Sequence, residues 1–168
     1  MLKGLKTGTV MSFMAVMISL FALAVSWQES QILRKQQQTS VWPYLEALPS
    51  FTSEYISVEV VNKGIGPAII QDVQYVVGDQ SVDGLDEFLQ MVFDTTSVSR
   101  VMSSLQGRVM APGESIQHFV ITDPALIQRA FELRQSITGL DLRLCYCSIY
   151  EDCWRTENGS TYKSKNCP

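Results

Sequence analysis

From Thr9 to Trp27 the chain carries no charged residue, reading Thr-Val-Met-Ser-Phe-Met-Ala-Val-Met-Ile-Ser-Leu-Phe-Ala-Leu-Ala-Val-Ser-Trp. A helix over Val10–Trp27 is about 27 Å long at 1.5 Å per residue. That is close to a hydrocarbon core of about 30 Å, so residues 9–27 are expected to form one transmembrane helix. Lys3 and Lys6 precede the run, and Arg34 and Lys35 follow it. The positive-inside rule therefore gives only a slight bias toward a cytoplasmic segment 1–8. Ala22-Leu23-Ala24 and Ala24-Val25-Ser26 also fit the cleavage site of a secretory signal. The run is longer than a usual signal core, and Trp27 suits a membrane interface, so a retained anchor is expected.

Within the span, Ser12, Ala15, Ser19, Ala22 and Ser26 recur at alternating steps of three and four. Such steps keep small residues on one helix face. Small faces let membrane helices approach closely, so this row is a candidate packing seam for a copy of the chain or another span. Small residues are also common in any span. From Gln28 the composition turns polar, and residues 28–40 are expected to continue as a helical stalk.

Charge separates the two parts. Lys3, Lys6, Arg34 and Lys35 against Glu29 give residues 1–40 a charge of +3, leaving −7 for residues 41–168 out of the chain's −4. A domain of that sign lacks the basic face that nucleic-acid binding needs. All four cysteines, Cys145, Cys147, Cys153 and Cys167, lie in the last 24 of 168 residues. Clustering beyond a hydrophobic N-terminus points to an oxidising compartment, which places the C-terminal domain outside the cytoplasm. Cys145 and Cys147 share one face of a strand, an arrangement that suits disulfides better than a zinc site. Of the three possible pairings, Cys147–Cys153 across a hairpin at Glu151-Asp152, with Cys145–Cys167 tying back the tail, is preferred.

Residues 41–168 read as mainly β with helical insertions. Val41–Glu46 is a short extended segment limited by Pro43, and Tyr55–Val61 and Ala68–Val77 are strands rich in β-branched residues. Between them, Asn62, Gly64, Gly66 and Pro67 supply a dense turn signal, with glycines free to take positive φ and Asn62 able to cap. The turn reads as a structural hairpin, with a binding loop as the sharper alternative. Helices are expected near 84–106 and 123–136. The first pairs Leu85, Phe88, Leu89 and Val92 with a second short helix over Val98–Leu105; the other opens at Asp123-Pro124. Ser115–Thr122 and Leu140–Tyr150 are further strands, separated by a break at Gly139. Several strands joined by turns suggest an immunoglobulin-like β-sandwich.

The segments Ser40–Leu45, Val60–Ile70, Ala111-Pro112-Gly113-Glu114 and Tyr146–Thr156 together resemble a family of uncharacterised bacterial proteins. Those proteins carry one N-terminal span and an extracytoplasmic domain. The Asn62–Pro67 segment also resembles bacterial immunoglobulin-like, adhesion-related modules. The resemblance implies a fold and a topology, with the N-terminus cytoplasmic and the domain periplasmic or extracellular at a bacterial inner membrane. It implies no activity.

No constellation for catalysis is recognisable, and neither an enzyme nor a cofactor is expected. His118 is the single histidine and has no nucleophile motif to pair with. Asp79, Ser81, Asp83 and Gly84 resemble the start of a calcium loop, but the twelfth position is Gln90 rather than glutamate. Asn158-Gly159-Ser160 is a formal glycosylation sequon. The expected role is a non-enzymatic, membrane-anchored interaction module, an accessory subunit that meets another envelope protein or itself. The alternative is a ligand-sensing subunit that relays binding through its span and needs a pocket under the 84–106 insertion.

Overall fold

A computed structural model describes residues 2–78, 80–96, 98–134 and 140–167. The chain divides into two units, residues 1–40 and 41–168. The first is a single helix, α1 (Leu2–Thr39). Its stretch Gly8–Thr39 is long and apolar enough to cross a membrane, with a best mean hydropathy of 2.2 and none of that window buried. The helix continues unbroken through the polar residues 28–39. At its end, Ser40 N–H donates to Gln36 O and the Thr39 hydroxyl to Lys35 O, so side chain and backbone close the last turn.

The second unit is mostly β. Its elements in order are β1 (Leu45–Phe51), β2 (Ile56–Asn62), β3 (Ala68–Val77), β4 (Gln80–Val82), α2 (Leu85–Phe93) and β5 (Arg100–Met102). They continue with β6 (Val109–Met110), β7 (Ser115–Ile121), α3 (Pro124–Arg134), β8 (Leu140–Cys147), β9 (Cys153–Glu157) and β10 (Ser160–Ser164). Two antiparallel sheets result. One has the order β1-β2-β7-β5; the other runs β10-β9-β8-β3-β4, with β6 also paired to β3. Their inward side chains form one core, in which Leu45, Val60 and Ile121 of the first sheet meet Ile70, Leu144 and Tyr146 of the second.

The helices close this core. In α2, Leu85, Leu89, Val92 and Phe93 are buried at steps of four, three and one, while Asp86 and Glu87 in its first turn complement the helix dipole. In α3, Asp123 caps the N-terminus by accepting from Ala125 N–H at 2.9 Å, and Pro124 occupies the first helical position. The Arg129 guanidinium donates to Phe93 O at 2.8 Å, so α3 satisfies one of the carbonyls left open at the end of α2.

Four expectations need correction. The second helix over Val98–Leu105 does not form; Arg100–Met102 is the edge strand β5 instead, paired with residues 119–121 of β7. Val101 and Met102 stay exposed, so no apolar face would hold a helix here against the core, whereas the edge of β7 offers backbone hydrogen bonds. The first strand starts at Leu45 rather than Val41 and passes through Pro49, which is tolerated because β1 is an edge. The strand expected over Leu140–Tyr150 ends at Cys147, where Ser148 begins a turn. The segment 62–67 is not a hairpin: β2 and β3 belong to different sheets, so it is a crossover. The expected helix end near Ser136, the break at Gly139 and Asp79, the first residue of the calcium-loop resemblance, lie outside the described residues.

Candidate functional site

The segments 41–44, 62–67, 111–114, 148–152 and 164–167 gather at the end of the domain where the chain enters it, because Leu45 pairs with Asn62, Ala68 with Met110 and Ile69 with Cys147. Asn62 organises this proximal end. It is fully buried, and every polar atom it owns is used. Its Oδ1 accepts from Gly64 N–H at 3.0 Å and Tyr44 N–H at 3.3 Å. Its Nδ2 donates to Gly66 O at 2.9 Å and to Met110 O and Ala111 O at 3.2 Å each. Its backbone pairs with Glu114 O and Gly113 N–H. One amide thereby ties together three segments that are distant in sequence.

Gly64 and Gly66 serve this arrangement by lacking a side chain, and neither has the positive φ that the turn composition suggests. A Cβ on Gly64 would stand 2.4 Å from Tyr44 N, and one on Gly66 would stand 1.8 Å from Val41 O. The backbone of 41–44 lies directly on the crossover, and Ile65 N–H donates to Trp42 O at 3.0 Å. Pro67 is half-buried just before β3. Around this rigid centre the loops present apolar side chains to solvent: Trp42 is 42% exposed, Ile65 65%, Ile149 54% and Tyr150 42%.

Next to this centre, Tyr146 crosses from one sheet to the other. Its hydroxyl accepts from Leu45 N–H at 3.2 Å, and burial raises its pKa, opposed by the hydrogen bonds from Leu45, Thr156 and Thr161. Its neighbours on β8 face the opposite way. Cys147 sits opposite Cys153 in the β8–β9 register and is bonded to it, with Cα atoms 4.0 Å apart. Cys145 is bonded to Cys167, with Cα atoms 5.6 Å apart. The sulfurs of Cys147, Cys153 and Cys167 lie within 4.8 Å of one another, a spacing also compatible with metal ligation. Their engagement in disulfides removes the thiolates that a metal needs.

Farther along the core, His118 on β7 faces Tyr75 on β3. His118 Nδ1–H donates to Ser103 O at 2.8 Å, and Nε2 meets the Tyr75 hydroxyl, which donates to it when the ring is neutral. Tyr75 also packs on Phe88 of α2 with ring centroids 5.4 Å apart. Burial pushes the Tyr75 hydroxyl up to about 12, opposed by Arg100 and assisted by Asp86. Burial likewise holds His118 below its usual range, opposed by the Ser103 carbonyl. A lowered folded-state pKa means that the unfolded chain binds the proton first. The stabilising contribution of His118 is therefore complete above about pH 6.5, its unfolded value, and is lost as pH falls from there toward the folded value. The domain is expected to melt at a lower temperature at pH 5.5 than at pH 7.5, with a smaller difference in His118→Gln. Equal slopes in the two proteins, read by thermal denaturation, would show that other groups carry the effect.

On the outer side of α2, Val82, Asp86, Glu87, Gln90, Met91 and Thr96 line an open groove of about 530 Å³. Asp86 at its rim is paired with Arg100. Of the residues resembling a calcium loop, Ser81 lies in β4 and Gly84 precedes α2. Along α1, Ser12, Ala15, Ser19, Ala22 and Ser26 are all exposed, and the Ser19 hydroxyl donates to Ala15 O at 2.9 Å. No family model matches the chain, and no curated protein or solved structure matches it significantly.

What sequence reasoning missed here has recognisable signals. The Asn158-Gly159 pair, read first as part of a sequon, takes positive φ at both residues and turns β9 into β10. Asn-Gly is the strongest short hairpin signal there is. The clamp role of Asn62 has no such signal, because its side-chain partners sit up to 49 residues away.

Proposed function

We propose that this chain is a single-pass protein of a bacterial inner membrane that presents an extracytoplasmic interaction module. The observation that carries the reading is α1, whose apolar window has no surface buried within the chain and therefore needs lipid or another span. Retention of α1 as an anchor rests on its length, since it continues well past the residues that resemble a cleavage site. A cytoplasmic N-terminus is supported by the two disulfides, which form and persist in an oxidising compartment.

The domain is read as an immunoglobulin-like sandwich. Strand order supports this: β1-β2-β7-β5 corresponds to A-B-E-D of that fold, and β4-β3-β8-β9 to C′-C-F-G. Its disulfides differ from the antibody pattern, bracing β8 against β9 and the tail rather than joining the two sheets. The module is proposed to meet another envelope protein, as an accessory subunit, through loops held by the Asn62 clamp. Loops fixed on a rigid scaffold with exposed aromatic and aliphatic tips are a common form of binding surface. A ligand-sensing role is the second reading, supported by the groove on α2, although that groove is open rather than enclosed.

Proximity crosslinking of the full-length chain in native membranes, followed by mass spectrometry, tests this. Reproducible recovery of a different membrane or envelope protein is expected. Recovery of the chain alone would point to a homo-oligomer through Ser12, Ala15, Ser19, Ala22 and Ser26. In that case leucine at those five positions should abolish the self-crosslink, and a crosslink that survives would exclude the seam.

A further inference from the structure

The two disulfides lie closer together than bracing alone requires. Cys147 Sγ is 3.9 Å from Cys167 Sγ, although each is bonded to a different cysteine. Cys145 and Cys147 share one face of β8, and Cys167, bonded to Cys145, lies against Cys147 as well. Accessibility is unequal: Cys145, Cys147 and Cys153 are buried, and Cys167 is half-exposed.

We infer that these four cysteines form one exchange-coupled unit, in which reduction that enters at Cys167 leaves at Cys153. A dithiol reductant attacks Cys167 Sγ, the accessible sulfur, forms a mixed disulfide and expels Cys145 as a thiolate, which takes up a proton. The second thiol of the reductant then resolves the mixed disulfide. The reductant departs as a disulfide, and Cys167 is released as a thiolate. Two electrons have entered the protein. Cys167 now has two possible partners. Cys145 is a buried thiol, and exchange with it needs a new oxidant. Cys147 is already in a disulfide and lies next to Cys167. Attack by Cys167 on Cys147 Sγ forms Cys147–Cys167, breaks Cys147–Cys153 and expels Cys153 as a thiolate, with no further change in oxidation state.

The attack requires the Cys167 sulfur, 3.9 Å from Cys147 Sγ before reduction, to come into line with the Cys147–Cys153 bond once Cys145 has let go. The consequence is specific. A single two-electron reduction opens the staple between β8 and β9, while the tail stays covalently tethered by its new bond. The turn 148–152, which carries Ile149 and Tyr150, is thereby placed under redox control.

The full-length Cys145→Ser chain, oxidised and then quenched in acid with a thiol-alkylating reagent, tests this directly. Digestion after Glu151 and Arg155 separates the remaining cysteines for mass spectrometry. Label on Cys153 in at least about a tenth of molecules, with Cys147 linked to Cys167, is the expected result for exchange at this contact. Label confined to Cys167, or a Cys153–Cys167 link, overturns it. The natural chain titrated with a dithiol gives a second reading that does not depend on how the variant folds. Its one-disulfide species should contain Cys147–Cys167, and one-disulfide species holding only Cys147–Cys153 or Cys145–Cys167 would refute the coupling.

Discussion

Asn62→Ala is expected to destabilise the β domain by about 4 kcal/mol, which is a large fraction of the about 5–15 kcal/mol that holds a typical domain together. The substitution removes both side-chain acceptor bonds and the donor bonds to Gly66, Met110 and Ala111. Each such bond contributes about 1 kcal/mol net, and any backbone group left buried and unpaired costs about 1–3 kcal/mol more. Asn62→Asp should be no better: it keeps the acceptor but turns a charged oxygen toward carbonyls that need a donor. The neighbouring pair Lys63–Glu46 is a useful control, since Lys63 is exposed and Glu46 half-buried, and Lys63→Ala should cost under about 1 kcal/mol. Chemical denaturation of the full chain in detergent, followed by tryptophan fluorescence, would compare the three. A loss of under about 1 kcal/mol in Asn62→Ala would mean that the three segments are held by something other than this amide.

Gly66→Ala is expected to cost about 3 kcal/mol or more by overpacking, or to prevent accumulation of folded protein. The added methyl carbon would stand 1.8 Å from Val41 O and 2.3 Å from Val41 C. No rotamer relieves a clash with backbone, so either residues 41–44 lift off or the crossover moves. Each alternative breaks hydrogen bonds around Asn62, including Gly66 N–H to Trp42 O at 3.2 Å. The φ of Gly66 is not positive, so the cost is steric and a side chain of any size should be excluded. Gly84→Ala supplies the comparison: nothing lies within 4 Å of its Cβ position, and a change of under about 1 kcal/mol is expected there. Equal melting temperatures for the two variants would show that segment 41–44 does not bear on the crossover.

These effects converge on the Asn62–Pro67 segment, which was legible as special but for an incomplete reason. Its composition says turn, and the chain does turn there. Glycine, however, answers two different needs, positive φ and close approach, and a sequence shows only the residue. Here the need is close approach, because the strand-entry segment 41–44 lies on the crossover. Similarly, Arg100–Met102 has no decisive local preference and becomes a strand because β7 offers an open edge. His118 reads as a lone histidine in a strand. Its role in bridging two sheets depends on Tyr75, which lies 43 residues away on another sheet.

What the sequence determines by itself is whatever rests on local chemistry. An uninterrupted apolar run from Thr9 to Trp27 makes an apolar helix whatever follows it. β-branched runs between turn residues make strands, Asp123-Pro124 opens a helix, and two cysteines flanking a short turn lie within reach of each other. The tertiary structure alone decides which strands become neighbours, which edges stay open, which asparagine is buried and which sulfurs touch. Those outcomes depend on contacts between residues tens of positions apart. Their energies come from burial and hydrogen bonding, which exist only after the chain has closed on itself.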